Sequence, residues 1–207
     1  QTVYPVNYTH LTLSGSGAKT LQSGTASIGG NLTLSGSATV TTVTALAISG
    51  NLDVGAGCTF TAAGYNLTVT GTTTVAGTLT HASTTGTKTF TGAVTVDPGG
   101  LWNETVNEDI SFSNNLAVNG SFTAGSGVHT FSGTTRTIGG SSTLTIPSLT
   151  VSGTLSNTGT LVVPTTLAGT GTLTNSAGAS LTFGGLSITP TLTATAAGNT
   201  VIYNGAA

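Results

Sequence analysis

Charge is what this chain lacks most. Of 207 residues only eight are ionised at neutral pH: Lys19, Lys88, Arg136, Asp53, Asp97, Glu104, Glu108 and Asp109. That is 4%, against about 25% in an ordinary globular protein. A net charge of −2 gives phosphates no basic surface, so nucleic acid is not an expected partner. Cys58 is the only cysteine, which excludes an internal disulfide framework. Between Gly57 and Thr59 it reads as a small buried hydrophobe, with an intermolecular cross-link as the minor alternative. No apolar run approaches the roughly 18 residues of a membrane helix, so membrane insertion is not expected. The chain shows no charged start with an apolar segment behind it. It begins at Gln1 without a methionine and reads as processed or excerpted.

Threonine fills the space that charge leaves. There are 48, and 37% of the chain is apolar, so the low charge is not the charged, weakly hydrophobic composition of disorder. The two classes alternate. Leu11-Thr12-Leu13-Ser14-Gly15 recurs unchanged at Leu32–Gly36 and in variants at Leu46, Leu67, Lys88 (KTFTG), Leu116, His129 (HTFSG), Leu149 and Leu167. Each copy is a short strand with the turn that ends it. Helical periodicity is absent, and Gly and β-branched residues are everywhere.

From the first start to the last, the gaps between successive copies are 21, 14, 21, 21, 28, 13, 20 and 18. Repetition at roughly 20 residues marks a stacked array. The expected fold is all-β, a single parallel β-solenoid (β-helix) of about ten irregular coils spanning 1–207. Leu, Val, Ile and Phe would line the inside, and Thr and Ser the outside. The uneven gaps are read as coils of unequal loop length, and each glycine as a positive-φ bend. The alternative is an antiparallel β-sandwich. It would need frequent Asn-Gly or Asp-Gly hairpins, and only Asn119-Gly120 and Asn204-Gly205 occur.

One stretch departs from the pattern. Residues 97–109 hold four of the five acids and the only tryptophan. They read as a solvated loop, with Trp102 against the solenoid wall. The sharper readings are an ion or ligand loop of Asp97, Trp102, Glu104, Glu108 and Asp109, either as a Ca²⁺ site or as a carbohydrate contact through Trp102. No other cofactor is expected. Glycosidase chemistry needs two carboxylates at a controlled separation; Glu104 with Glu108 or Asp109 would be the pair, but the expectation is that the chain is not an enzyme. His10, His81 and His129 lack zinc spacing and read as surface residues. Gly15–Thr20 lacks the Gly-Lys pair of a phosphate loop and reads as a turn. Sequons at Asn7, Asn31, Asn66, Asn103 and Asn119 follow from composition. Thr-x-Thr rows at 39–41, 59–61, 68–70, 78–80, 143–145 and 172–174 suit an ice-binding face only if they recur once per equal coil, and the gaps argue against that.

The two ends belong together. Joined tail to head they give NTVIYNGAA-QTVYPVNYTHLTLSG, leading into Leu11–Leu21, LTLSGSGAKTL. With LTLSGSATVT, HTFSGTTRTIGGSSTLTIPSLTVSGTLSNTGTL and LAGTGTLTN, this resembles large secreted bacterial proteins of tandem β-strand repeats, adhesin-like surface or filament proteins. The resemblance implies a secreted, extracellular or cell-surface structural protein, a filament or adhesin-stalk repeat of the kind found in biofilms. Its partner would be itself, as tandem repeat or head-to-tail homopolymer, with neutral faces that can bundle sideways. Segments 1–9 and 199–207 are then the junction, and Gln1, Thr2, Val3, Tyr4, Val6, Tyr8, Thr200, Val201, Ile202, Tyr203 and Asn204 the expected interface. The alternative is a surface binding module, for glycan or ice, working through one solenoid face.

Overall fold

The computed structural model describes residues 1–205; Ala206 and Ala207, the end of the expected junction segment 199–207, lie outside them. The described chain forms 28 short strands and no helix. Every strand pairing is parallel, most strands meeting the third strand before and the third after in the chain. That pattern is a three-sided β-solenoid of about ten turns, and it excludes the sandwich, whose strands would be antiparallel. Face 1 carries ten strands, from Leu11–Leu13 to Thr191–Thr193. Face 2 carries six, from Ser16–Thr20 to Ser121–Thr123, then four more from Leu144–Thr145 to Thr200–Tyr203. Face 3 carries eight, from Ser27–Ile28 to Thr166–Ala168.

The local reason is the side-chain period of two. In Leu11-Thr12-Leu13 both leucines are buried and the threonine is exposed, and the same alternation holds in strands such as Leu52–Val54 and Thr59–Ala62. So short a strand cannot bury its apolar side chains alone, and each coil lies on the last. Leu11, Leu32 and Leu52 stack in one inward column on face 1, and Val69, Phe90, Phe112 and Phe131 in another on face 3.

Coil length is more regular than the phrase spacing predicts. On face 1 the ladder of partners runs Leu11, Leu32, Leu52, Thr73, Val94, Leu116, Ile138, every step being 20, 21 or 22. Beyond it the steps shorten to 18 or 19, from Arg136 to Leu155 and from Thr154 through Thr172 to Thr191. The phrase itself changes faces. Leu11, Leu32 and Leu116 start strands on face 1, whereas Leu46, Leu67, Lys88, His129 and Leu149 belong to face 3. Gaps of 14 and 13 are therefore two strands of a coil, 21 is three, and 28 is four.

The glycines do two different jobs. Gly15, Gly36 and Gly57 turn the chain from face 1 to face 2 at φ +77°, +74° and +77°, a region that costs other residues free energy. Gly50, Gly71 and Gly92 have no positive φ, contrary to the expectation. They sit one above another at the corner after face 3, where a Cβ would strike the backbone of the glycine below. Asparagine satisfies the backbone at corners: Asn31 Oδ1 accepts from Asn51 N at 3.0 Å, and Asn51 Oδ1 from Thr72 N at 3.0 Å.

The coils change character near residues 121–145. Face 2 is interrupted there, Thr135 takes φ +57°, and the register on face 1 shifts so that Ile138 partners Leu116 below and Asn157 above. Beyond this joint Asn157 and Asn175 are buried, joined by an Nδ2–H to Oδ1 bond of 2.8 Å.

Candidate functional site

Three features stand out on this frame: the two ends, the hydroxyl faces, and a knot of charge inside the middle coils.

At the first end, residues 1–8 lie along the chain's own first coil. Thr2 bridges to Thr20 on face 2 and Tyr8 to Ile28 on face 3, Val3 N donates to Thr20 O at 2.9 Å, and Thr20 N donates to Gln1 O at 2.8 Å. The strand Leu11–Leu13 has a neighbour on one side only. Beside it opens a cavity of about 440 Å³ lined by Val3, Tyr4, Tyr8, Leu11, Leu13 and Lys19 among others. Tyr4 and Val6 face solvent. At the other end, Thr191–Thr193 and Thr200–Tyr203 are the last strands of their sheets. There Ile188, Leu192 and Val201 are only partly buried, and Leu186, Ile202 and Tyr203 are exposed, Leu186 at 88%. Leu11–Leu13, Thr191–Thr193 and Thr200–Tyr203 carry no charged residue, the usual protection of a sheet edge, whereas Ser16–Thr20, the first strand of face 2, holds Lys19. The expected interface residues thus divide between the two ends, Gln1, Thr2, Val3, Tyr4, Val6 and Tyr8 at one and Thr200, Val201, Ile202, Tyr203 and Asn204 at the other.

Pairing also sorts the Thr-x-Thr rows. On face 2, Thr39 and Thr41 are partnered by Thr59 and Thr61, and these by Thr78 and Thr80, in adjacent coils. The uneven phrase spacing is therefore no argument against this array, because it counts faces rather than coil lengths. The row is short. Leu101 and Asn103 take the next positions, so the Thr-x-Thr patch extends only about 10 Å along the axis at the usual strand spacing. The 68–70 and 172–174 rows point from other faces.

The stretch 97–109 is not a solvated loop. Residues 101–104 form a strand of face 2, with Trp102 at 0% exposure and Glu104 at 5%. Trp102 is inside the solenoid rather than on its wall, stacked on Phe122 with ring centroids 5.3 Å apart and an interplanar angle of 11°. Glu108 is 0% exposed, whereas Asp109 points outward and accepts from Val128 N at 2.7 Å. Asp97 is half-buried in the turn before this strand. The five candidate ligands therefore do not converge, and no group of three or more His, Cys, Asp or Glu is placed to hold a metal ion among the described residues.

Two of the acids meet residues that the sequence placed on the surface. His81 and His129 are both 0% exposed, and Lys88 1%; only His10 of the three histidines is exposed. Glu104 Oε1 accepts from Trp102 Nε1 and meets His129 Nε2, each at 2.8 Å, and its Oε2 accepts from Gly125 N at 2.8 Å. His129 Nδ1 lies 3.2 Å from Gly127 O. Both ring nitrogens of His129 thus face oxygen atoms.

Glu108 is served otherwise. Lys88 Nζ touches its Oε1, and His81 Nδ1 lies 3.4 Å from its Oε2. Neither Glu108 oxygen and neither His81 nitrogen has a hydrogen bond of proper geometry. Lys88 Nζ donates instead to Thr85 O and Gly86 O, at 3.2 and 3.4 Å. His81 lies between Trp102 and Phe90, with centroids at 4.6 and 6.1 Å. These residues were visible in the pattern. Lys88 and His129 begin KTFTG and HTFSG, where most copies begin with Leu, and that position points inward: Leu67, Lys88, Ile110, His129 and Leu149 form one column.

No family model, curated protein or solved structure matches this chain.

Proposed function

We propose that the chain is a structural module of an extracellular filament or adhesin stalk, joined head to tail with further copies of itself. One observation carries the reading: every sheet is parallel along one axis, and face 1 runs the length of the solenoid from Leu11–Leu13 to Thr191–Thr193, each an uncharged edge strand with a neighbour on one side only. A parallel edge at the first end and one at the last have matching polarity, so a second copy continues the same sheets. A heterologous contact of this kind does not close on itself and gives a fibre. Covalent tandem repetition reaches the same architecture. The resemblance of the joined ends to secreted tandem-repeat proteins supports the extracellular setting, as does a threonine-covered surface with little charge to hold molecules apart.

The test is negative-stain electron microscopy of the purified chain across a concentration series, beside an Ile202→Lys, Leu192→Lys variant. Fibres with a constant axial repeat, lost in the variant, are expected. Isolated rods of about 50 Å at every concentration, from a single chain and from an engineered tandem dimer alike, would sink the reading.

A second reading rests on the aligned hydroxyls of Thr39, Thr41, Thr59, Thr61, Thr78 and Thr80: face 2 as a binding surface for ice or a glycan. Its short extent along the axis ranks it second. Thr59→Lys would abolish such binding and leave fibres unchanged.

A further inference from the structure

Glu108 and Lys88 occupy a place where an ordinary ion pair is poorly served. Both are buried, and His81, which faces Glu108, packs on Trp102 and Phe90, with Phe90 stacked on Phe112 at 5.8 Å. A buried carboxylate holds its charge only with several directed donors. Glu104, nearby, has them; Glu108 has no backbone donor and no hydrogen bond of proper geometry. What Glu108 does have is the Lys88 amine in contact with its Oε1, a nucleophile beside a carboxyl carbon.

We propose that Lys88 and Glu108 condense into an intramolecular amide, a covalent tie between neighbouring coils. The reaction balances within the pair. The ammonium passes a proton to the carboxylate, the Nζ lone pair attacks Cδ, the Nζ–Cδ bond forms and the Cδ–Oε1 bond breaks. Oε1 leaves with two of the three ammonium protons as water, and the third stays on the amide nitrogen. No oxidant, cofactor or external acid is needed. His81, with Nδ1 at 3.4 Å from Oε2, is the group placed to polarise the carboxyl and stabilise the oxyanion as the tetrahedral centre forms.

The partners already present suit the product better than the reactants. The amide N–H keeps the donation to Thr85 O that Nζ now makes at 3.2 Å. The remaining oxygen, Oε2, becomes the carbonyl and accepts from His81. One donor and one acceptor are then satisfied, and two buried charges are gone. Sheet pairing holds the reactants together: Lys88 is the face-3 partner of Ile110, two residues beyond Glu108. Such pre-organisation replaces an improbable encounter by a local step. Thr85 and Gly86, whose carbonyls meet Nζ, belong to an exposed corner, which gives the water a short way out.

The chain's own scarcity of cations makes the test simple. Trypsin cuts after Lys19, Lys88 and Arg136; an acylated Lys88 is not cut. The folded protein is purified, denatured and weighed intact, then digested. The tie predicts a mass lower than the sequence by one water, and three pieces: 1–19, 20–136 and 137–207. In Glu108→Leu the full mass returns and 20–136 is cut into 20–88 and 89–136. His81→Leu slows the loss of water after folding. Cyclisation of Gln1 loses ammonia rather than water and leaves cleavage at Lys88 intact, so the two events are separate. Full mass with complete cleavage after Lys88 in the wild-type chain overturns the proposal. That reading needs no variant to fold.

Discussion

Two glutamates lie four residues apart in one coil of the same interior and are treated in opposite ways. Glu104 is a member of its strand, so its side chain is aimed by the pleat and meets three donors: an indole, an imidazole and the amide of Gly125 in the next coil. Glu108 belongs to the connection between faces 2 and 3 and meets a lysine and a histidine without a directed hydrogen bond. Both are buried carboxylates, and burial alone therefore says little about either. What separates them is whether the sheet supplies backbone and side-chain donors in the right directions. The first is a satisfied network that pins Trp102, His129 and Gly125 together. The second is a reactive pair.

The strongest way to break this comparison is to remove what both sites share. Trp102→Ala empties the space between His81, Phe90, Phe112 and Phe122. Such a truncation costs about 3–5 kcal/mol, read as a lower denaturant midpoint. Next comes Lys88→Met, which leaves Glu108 buried without its cation. A loss of about 3–5 kcal/mol is expected for a plain ion pair, and the double change Lys88→Met, Glu108→Leu should recover most of it. If the two are joined by an amide, the double variant stays below wild type by about 3 kcal/mol, the gain of a cross-link closing a loop of similar length. Urea unfolding of the three chains decides between these patterns.

At the satisfied site, Glu104→Gln keeps the shape but removes the charge that His129 and Trp102 address. About 1–3 kcal/mol is expected, measured by thermal unfolding, with no change in the tryptic pattern at Lys88. Away from both glutamates, Gly71→Ala pushes a methyl into the Gly50 backbone below and should cost about 1–3 kcal/mol. Thr39→Ala on face 2 touches none of this and should fall within about 0.5 kcal/mol of wild type.

Alternation of Leu and Thr announced the solenoid, because a period of two with a glycine every few residues admits few other solutions. Coil regularity was harder to see. The phrase beginning at Leu32 and the one beginning at Leu46 read alike, yet one lies on face 1 and the other on face 3, so spacing between copies measured corners as well as coils. The glycine at the end of the phrase was equally ambiguous. Gly36 bends the chain and Gly71 makes room for it, and one letter serves both needs. The interior cluster escaped because Lys, His and Glu read as surface residues by chemistry alone. Their positions said otherwise: Lys88 and His129 stand where Leu67 and Leu149 stand in neighbouring coils. The partners of Glu108 come from other coils, and no spacing along the chain displays them.

That one phrase works on two different faces bears on how such a chain grows. If a strand with its turn can serve on more than one side of the solenoid, the unit of duplication need not be a full coil. A tandem copying event of one strand and its corner, a third of a turn here, rotates everything downstream by one face. It is tolerated wherever the next residues again alternate apolar with small polar. Descent by such partial steps leaves copies whose spacing drifts among two, three and four strands, the pattern that the gaps of 14, 21 and 28 record. Lys88, Glu108 and their neighbours are where that freedom stops, since a one-face slip there would separate a lysine from its acid.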